Sequence, residues 1–163
     1  MNKKIAYTGI LLALNIIILL LVNIIPMNTL FLMGIASLLI SIVILEYGIK
    51  LGFVFYIASS ILSFIVLANK AQWILYVFTF GVYGLVKYLI ERDRPFYIDL
   101  GLKLCFANGV ILVVYFILKA IVFIPINIYT ILVFQVAFLV YDYIYTLFIE
   151  YYEAKLRKMI KFK

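Results

Sequence analysis

The sequence predicts an all-α membrane protein, a bundle of six transmembrane helices with both termini on the cytoplasmic side. Three observations predict it. Of the 163 residues, 69% are hydrophobic, the mean hydropathy is +1.25, and the few charged residues divide the chain into six long apolar runs. A bilayer offers no water to backbone N–H and C=O groups, so a long apolar run crosses it as a helix that pairs these groups internally.

Each predicted helix ends at a proline, a glycine or a polar stretch. Pro26 ends the first and Pro125 the fifth, because proline lacks an N–H and clashes with the preceding turn. Gly48 follows the second, and polar residues at 69–72 and 91–99 follow the third and fourth. The predicted helices are 5–25, 29–47, 50–67, 73–90, 100–124 and 127–150, with a basic cytoplasmic tail at 151–163. Six spans of about 20 residues leave no room for a soluble domain, so we expect one transmembrane domain, 1–163.

The basic residues predict the orientation of the chain. It carries 14 Lys and Arg against 7 Asp and Glu, a formal net charge of +7. With the N-terminus in the cytoplasm, only Lys70 and Lys119 fall at outer ends. Twelve fall at inner ends or loops: Lys3, Lys4, Lys50, Lys87, Arg92, Arg94, Lys103, Lys155, Arg157, Lys158, Lys161 and Lys163. Because cytoplasmic loops are rich in Lys and Arg, we interpret the charge as membrane orientation and attraction to lipid, not as nucleic-acid binding.

Small residues recur at helical spacing on several predicted helices. Lipid tails are as apolar as leucine, so helices in a membrane associate by close packing at small residues. Gly9 and Ala13, four residues apart on the first helix, either pack inside the bundle or dock a separate membrane subunit. The other stripes are expected to pack internally: Gly34, Ser37, Ser41 and Gly48; Gly52, Tyr56, Ser59 and Ser63; Gly81 and Gly84.

Polar residues within the fifth and sixth helices are predicted to meet, because consecutive helices joined by a short turn are usually neighbours. Asn108 and Asp142 would pair in the inner third of the bilayer, and Lys119 and Gln135 in the outer third. Polar groups at such depth are costly and therefore informative. Asp142 is interpreted either as a salt-bridge partner of a basic residue or as a proton or cation site. The basic residues in question are Lys87 and Lys103.

A small-molecule pocket is predicted in the outer half of the bundle, where a few polar groups converge among aromatic side chains. Each residue also has a simpler explanation. Lys119 would extend its ammonium to the headgroups, Trp73 and Tyr76 would anchor the helix at the interface, and the amides would hydrogen-bond between helices. The predicted substrate-binding residues are Asn15, Asn23, Trp73, Tyr76, Lys119 and Gln135.

The sequence lacks the signatures of common catalytic and cofactor sites. It has no histidine and a single cysteine, Cys105, so no His/Cys cluster offers metal-ligand spacing. Neither a P-loop nor a Gly-x-Ser-x-Gly nucleophile elbow is present. We therefore predict that the chain is not an enzyme and uses no cofactor and no metal.

Three features together resemble one transporter family. They are Gly9 and Ala13 in the run Ala-Tyr-Thr-Gly-Ile-Leu-Leu-Ala, the proline turn at Pro26, and the segment 46–52, Glu-Tyr-Gly-Ile-Lys-Leu-Gly. The pattern resembles the substrate-binding S components of energy-coupling-factor (ECF) transporters, small six-helix proteins with both ends inside. In that family the small residues of the first helix, typically two alanines, meet a coupling membrane subunit.

The resemblance implies a function and a place in the cell. The chain would capture a vitamin-like solute outside the bacterial inner membrane, and a separate ATPase module with a coupling subunit would drive uptake. The alternative is a non-catalytic scaffold of an envelope-assembly complex, since the chain is also similar in size and helix number to the MreD family. Abundant Ile, Lys, Asn and Tyr suggest an AT-rich bacterial genome.

Overall fold

A computed structural model of the protein describes residues 2–91, 95–119 and 127–157. These residues are helical apart from short connections, and they contain no strand. The six helices are α1 (Asn2–Ile24), α2 (Thr29–Tyr47), α3 (Ile49–Val66), α4 (Lys70–Ile90), α5 (Phe96–Leu118) and α6 (Ile128–Tyr151). Each is long and apolar enough to cross a membrane. The prediction of six long apolar helices is confirmed for the part of the chain described.

Four helices begin earlier than predicted: α1 at Asn2 and not at 5, α3 at Ile49 and not at 50, and the fourth and fifth helices, which follow Asn69 and Pro95. The fourth starts at Lys70 and not at 73, since the Asn69 side chain accepts a hydrogen bond from the N–H of Ala71 at 2.9 Å. The fifth starts at Phe96 and not at 100, directly after Pro95. The carbonyl of Pro95 accepts the N–H groups of residues 98 and 99 at 3.0 and 3.2 Å.

The ends of the last two helices also differ from the prediction. The fifth helix ends at Leu118, and the predicted continuation to 124 lies outside the described residues beyond Lys119. The sixth extends past the predicted start of the tail, since Tyr151 is followed by a π-helical segment, Tyr152–Leu156. Residues 158–163 of the predicted tail lie outside the described residues.

The chain divides into two compact units, Met1–Ile124 and Pro125–Lys163. In the first unit, α2 packs against α1, α3 and α4. One face of α1 is buried at the spacing of helical turns, through Leu11, Asn15, Leu19 and Val22. In the second unit, Asn127 directly precedes α6, and its side chain accepts the N–H of Ile128 at 2.7 Å. The prediction of a single transmembrane domain stays a prediction.

The connection between α2 and α3 is a single glycine followed by a close helix contact. Gly48 has φ +87°, a conformation that side chains disfavour, and its N–H caps α2 by donating to Ile44 O at 2.8 Å. Gly52, one turn into α3, is buried, and a Cβ there would overlap the side chain of Ile44. The absence of a side chain at Gly52 therefore lets the two helices approach closely beside the turn.

We expect Gly52→Ala to lower the free energy of unfolding by roughly 1–3 kcal/mol, because the new methyl group overfills the contact with Ile44. The measurement is an SDS titration of the purified protein in mild detergent. Gly101→Ala is the matched control: Gly101 lies in α5, and a Cβ there meets nothing within 4 Å. If both variants unfold at the same SDS fraction, the inference that α2 and α3 approach closely at Gly52 is wrong.

Candidate functional site: a buried polar cluster

Three polar side chains from three helices meet inside the first unit. Asn15 of α1, Ser59 of α3 and Tyr76 of α4 are each 0% exposed. Ser59 Oγ donates to Asn15 Oδ1 at 2.7 Å, and it lies 2.8 Å from the Tyr76 hydroxyl. We call these three residues the Asn15 cluster.

The Asn15 cluster also ties in the remaining neighbour, α2. The Asn15 amide donates to the backbone carbonyl of Ala36 at 2.7 Å and to the Tyr76 hydroxyl at 3.2 Å. The side-chain donors and acceptors of the cluster thus satisfy one another or a backbone carbonyl, as buried polar groups require. Four helices of one unit are held by a set of uncharged hydrogen bonds.

Tyr76 is the first residue of a π-helical segment, Tyr76–Gly81, inside α4. The Tyr56 hydroxyl donates to the backbone carbonyl of Val77 at 3.2 Å. A Cβ on Gly81 would lie 3.0 Å from the Tyr56 ring, so the absence of a side chain at Gly81 makes room for that ring. Single π-helical turns inside an α-helix are uncommon and recur at functional sites.

Thr79, in the same π-helical segment, carries a buried hydroxyl that has no hydrogen-bond partner within the described part of the chain. Its side-chain oxygen is inaccessible and the residue is 8% exposed. An unsatisfied buried hydroxyl is costly, and such a group calls for a functional explanation or an exchangeable partner. The π-helical segment therefore has one satisfied hydroxyl, at Tyr76, and one with unused hydrogen-bonding capacity.

Asn23 and Trp73 hold the C-terminal end of α3 to its neighbours. The Asn23 amide donates to Val66 O at 2.8 Å, and its oxygen accepts the N–H of Ala68 at 3.1 Å. Trp73 Nε1 donates to the carbonyl of Ser60 at 2.9 Å. Asn23 is exposed and Trp73 is half-buried. Both side chains therefore close the end of the bundle at which α1 and α3 end and α4 begins.

The structure thus brings two of the predicted substrate-binding residues into direct contact, Asn15 and Tyr76. Lys119, at the end of α5, is exposed, and its ammonium lies 4.5 Å from the centre of the Phe116 ring. Gln135 lies on α6 in the second unit. The predicted pocket that would include both Lys119 and Gln135 stays a prediction.

The predicted contact between Asn108 and Asp142 would also involve one residue from each unit. It stays a prediction. Within its own helix, the Asn108 amide donates to Leu104 O at 2.9 Å. The backbone carbonyl of Asp142 accepts the Thr146 hydroxyl at 3.0 Å. These bonds are local to α5 and α6.

Charged side chains gather at the other end of the first unit. Glu91 Oε1 accepts both Lys87 Nζ and Lys103 Nζ at 2.5 Å, and Lys103 lies 3.1 Å from Asp99 Oδ2. Lys87 and Lys103 are 1% and 6% exposed. The cluster joins the end of α4 to the start of α5 with two positive and two negative charges. The predicted salt bridge of Asp142 with either lysine is a separate contact and remains untested.

Gly9 and Ala13 lie on the exposed face of α1, opposite the buried face that carries Asn15. A Cβ added at Gly9 would meet no heavy atom within 4 Å. The internal-packing interpretation requires a neighbour that contacts Gly9. The described residues provide no such contact.

An apolar groove lies between α4 and α5, with a volume of about 300 Å³. Its lining consists of Phe78, Val82, Phe106, Gly109, Val110 and Val113. The groove offers no polar side chain and so suits lipid or another apolar surface. Over the described ranges, no group of three His, Cys, Asp or Glu is placed to hold a metal ion.

Compared with known proteins, the chain matches no family model, no curated protein and no solved structure.

Ser59 is the residue of the cluster that the sequence analysis placed only in a packing stripe. The position of Ser59 along its helix could have indicated its role in the cluster. Asn15 lies nine residues before the end of α1, Ser59 seven before the end of α3, and Tyr76 six after the start of α4, all counted from the same end of the bundle. At about 1.5 Å per residue the three are level to within a helical turn.

We expect Ser59→Ala to lower the free energy of unfolding by about 1–2 kcal/mol, because it removes bonds to α1 and α4. Ser63→Ala is the matched control, one turn further along α3. Ser63 is equally buried, but its hydroxyl bonds only to Ser60 O of its own helix. We expect no loss there, and SDS titration in mild detergent measures both. Equal losses in the two variants would show that the cluster does not join the helices.

Proposed function

We propose that the protein is the substrate-capture subunit of a bacterial uptake transporter, an integral membrane protein that binds a vitamin-like small molecule. A separate ATPase module, coupled through another membrane subunit, powers transport. The chain lies in the cytoplasmic membrane with both termini inside, the orientation favoured by its twelve inner basic residues.

The observation that carries this proposal is the contrast between the two faces of α1. One face contributes Asn15 to the buried polar cluster, and the other presents Gly9 and Ala13 outward. In lipid, exposed small residues gain nothing from burial, but they allow the backbone of a partner helix to approach closely. A helix of this kind suits a subunit that binds a solute on one side and meets its energising partner on the other.

The binding side of the proposal rests on the Asn15 cluster. Small-molecule sites are mostly apolar and contain a few convergent polar groups. An amide and two hydroxyls among apolar side chains form such a set, and they lie on helices that are long and apolar enough to cross a membrane. Lys119 and Gln135 remain predicted additional contacts.

A scaffold of an envelope-assembly complex is the alternative, and one observation favours it. In the described structure the Asn15 cluster is fully buried and internally hydrogen-bonded, an arrangement that a protein without a solute also needs. The two functions differ in their partners, because a scaffold would retain envelope-synthesis proteins instead of ATPases.

We expect Gly9→Leu and Ala13→Leu each to reduce co-purification of a coupling membrane protein and its ATPases by about tenfold or more. Leucine would hold the partner helix away, and a loss of about 1.4 kcal/mol in binding is tenfold in affinity. The measurement is quantitative mass spectrometry of the tagged protein purified from its native membrane.

Gly101→Leu is the matched control, since Gly101 is also exposed and a Cβ there meets nothing within 4 Å. All three variants should remain monodisperse in detergent. Recovery of envelope-synthesis proteins instead of ATPases would support the scaffold. Unchanged ATPase recovery in the α1 variants would contradict docking through this face.

A further inference from the structure

We infer that the solute recognised at the Asn15 cluster carries no formal charge. The inference rests on the proposed function and specifies its substrate class: a neutral molecule that presents both hydrogen-bond donors and acceptors, such as amide, carbonyl or hydroxyl groups.

The cluster itself consists of neutral polar groups. Asn15 supplies an amide, and Ser59 and Tyr76 supply hydroxyls that are 2.8 Å apart. Each of these groups can donate and accept, and none is ionised. A neutral polar solute can replace the internal bonds one for one, because its own donors and acceptors match those that it displaces.

Buried charge lies away from the Asn15 cluster. The other buried polar side chains among the described residues are uncharged, except for Lys87 and Lys103. Lys87 lies eleven residues beyond Tyr76 on the same helix, about 16 Å at 1.5 Å per residue. Both lysines pair with Glu91. An ion at the Asn15 cluster would therefore be buried without a counter-charge, which costs far more than exchanging neutral hydrogen bonds.

Unused hydrogen-bonding capacity also exists in the segment that carries Tyr76. Thr79 lies three residues after Tyr76 in the same π-helical segment, and its buried hydroxyl has no hydrogen-bond partner among the described residues. A solute that displaces the Tyr76 hydroxyl from Asn15 enters next to a segment whose helix geometry is already irregular. The segment thus offers one more uncharged hydroxyl to a neutral ligand.

The role of Lys119 distinguishes a neutral solute from an anionic one. If the solute were an anion held by the Lys119 ammonium, its retention would depend on that positive charge and not on the cluster. If the Asn15 cluster binds it, retention depends on the Ser59 and Tyr76 hydroxyls.

The experiment is mass spectrometry of small molecules that travel with the protein purified in mild detergent from its native membrane. We expect a solute that is neutral at pH 7. Its amount per protein should fall about tenfold or more in Ser59→Ala and in Tyr76→Phe, and stay at the wild-type level in Ser63→Ala. The identified solute, added back, should raise the unfolding temperature of the wild type and not that of Tyr76→Phe, a difference that a purely structural role would not produce.

Each other outcome contradicts a different claim. A charged solute, or retention lost in Lys119→Gln but kept in Tyr76→Phe and Ser59→Ala, overturns this inference and leaves the proposed function intact. Retention of no solute by the wild type overturns the proposed function and this inference with it. If Tyr76→Phe does not fold, Ser59→Ala decides alone.

Discussion

The hydrogen bonds of Asn15 are the interaction on which the arrangement of the first unit depends. In lipid, apolar side chains gain little by leaving the solvent, because the solvent is itself apolar. Helices then stay together through close packing and through polar groups that find partners only in one arrangement. Asn15 contacts α2 at Ala36, α3 at Ser59 and α4 at Tyr76. One amide on α1 therefore fixes the position of that helix against three others.

Other features of the unit follow from the same constraint. Towards the end of α1, the Asn23 amide pairs with two backbone groups where α3 ends, the carbonyl of Val66 and the N–H of Ala68. Near the start of α3, Gly52 allows α2 and α3 to approach beside the Gly48 turn. At the far end, the mutual pairing of Lys87, Lys103 and Glu91 compensates the cost of burying charge. On the outward face of α1, by contrast, none of the described residues lies within 4 Å of a Cβ added at Gly9.

Much of the fold could be predicted from the sequence, because backbone pairing in lipid requires helices and hydropathy shows where they lie. The start of a helix could not be predicted from hydropathy where a local cap determines it. Asn69 extends α4 to include Lys70, a residue that hydropathy alone assigns to a loop. The π-helical segment at Tyr76–Gly81 could not be predicted either, since its sequence is that of an ordinary apolar helix. Nor does the sequence show that the Tyr56 ring lies against Gly81.

The candidate site could be predicted in part. Asn15 and Tyr76 were expected to converge, and they do. Ser59 was assigned to packing, because a serine in a stripe of small residues fits helix contact and hydrogen bonding equally well. The direction of the side chain decides between packing and hydrogen bonding. That direction depends on the rotation of the helix about its axis and cannot be predicted from residue spacing alone.

A double-mutant cycle between Asn15 and Tyr76 tests the central claim most directly. The free energy of unfolding would be measured by SDS titration for the wild type, Asn15→Leu, Tyr76→Phe and the double variant. The account predicts that the two substitutions are non-additive, with a coupling energy of roughly 0.5–2 kcal/mol, because each removes the same interhelical bonds. Additive losses would contradict it, since α1 would then be held in place without this contact.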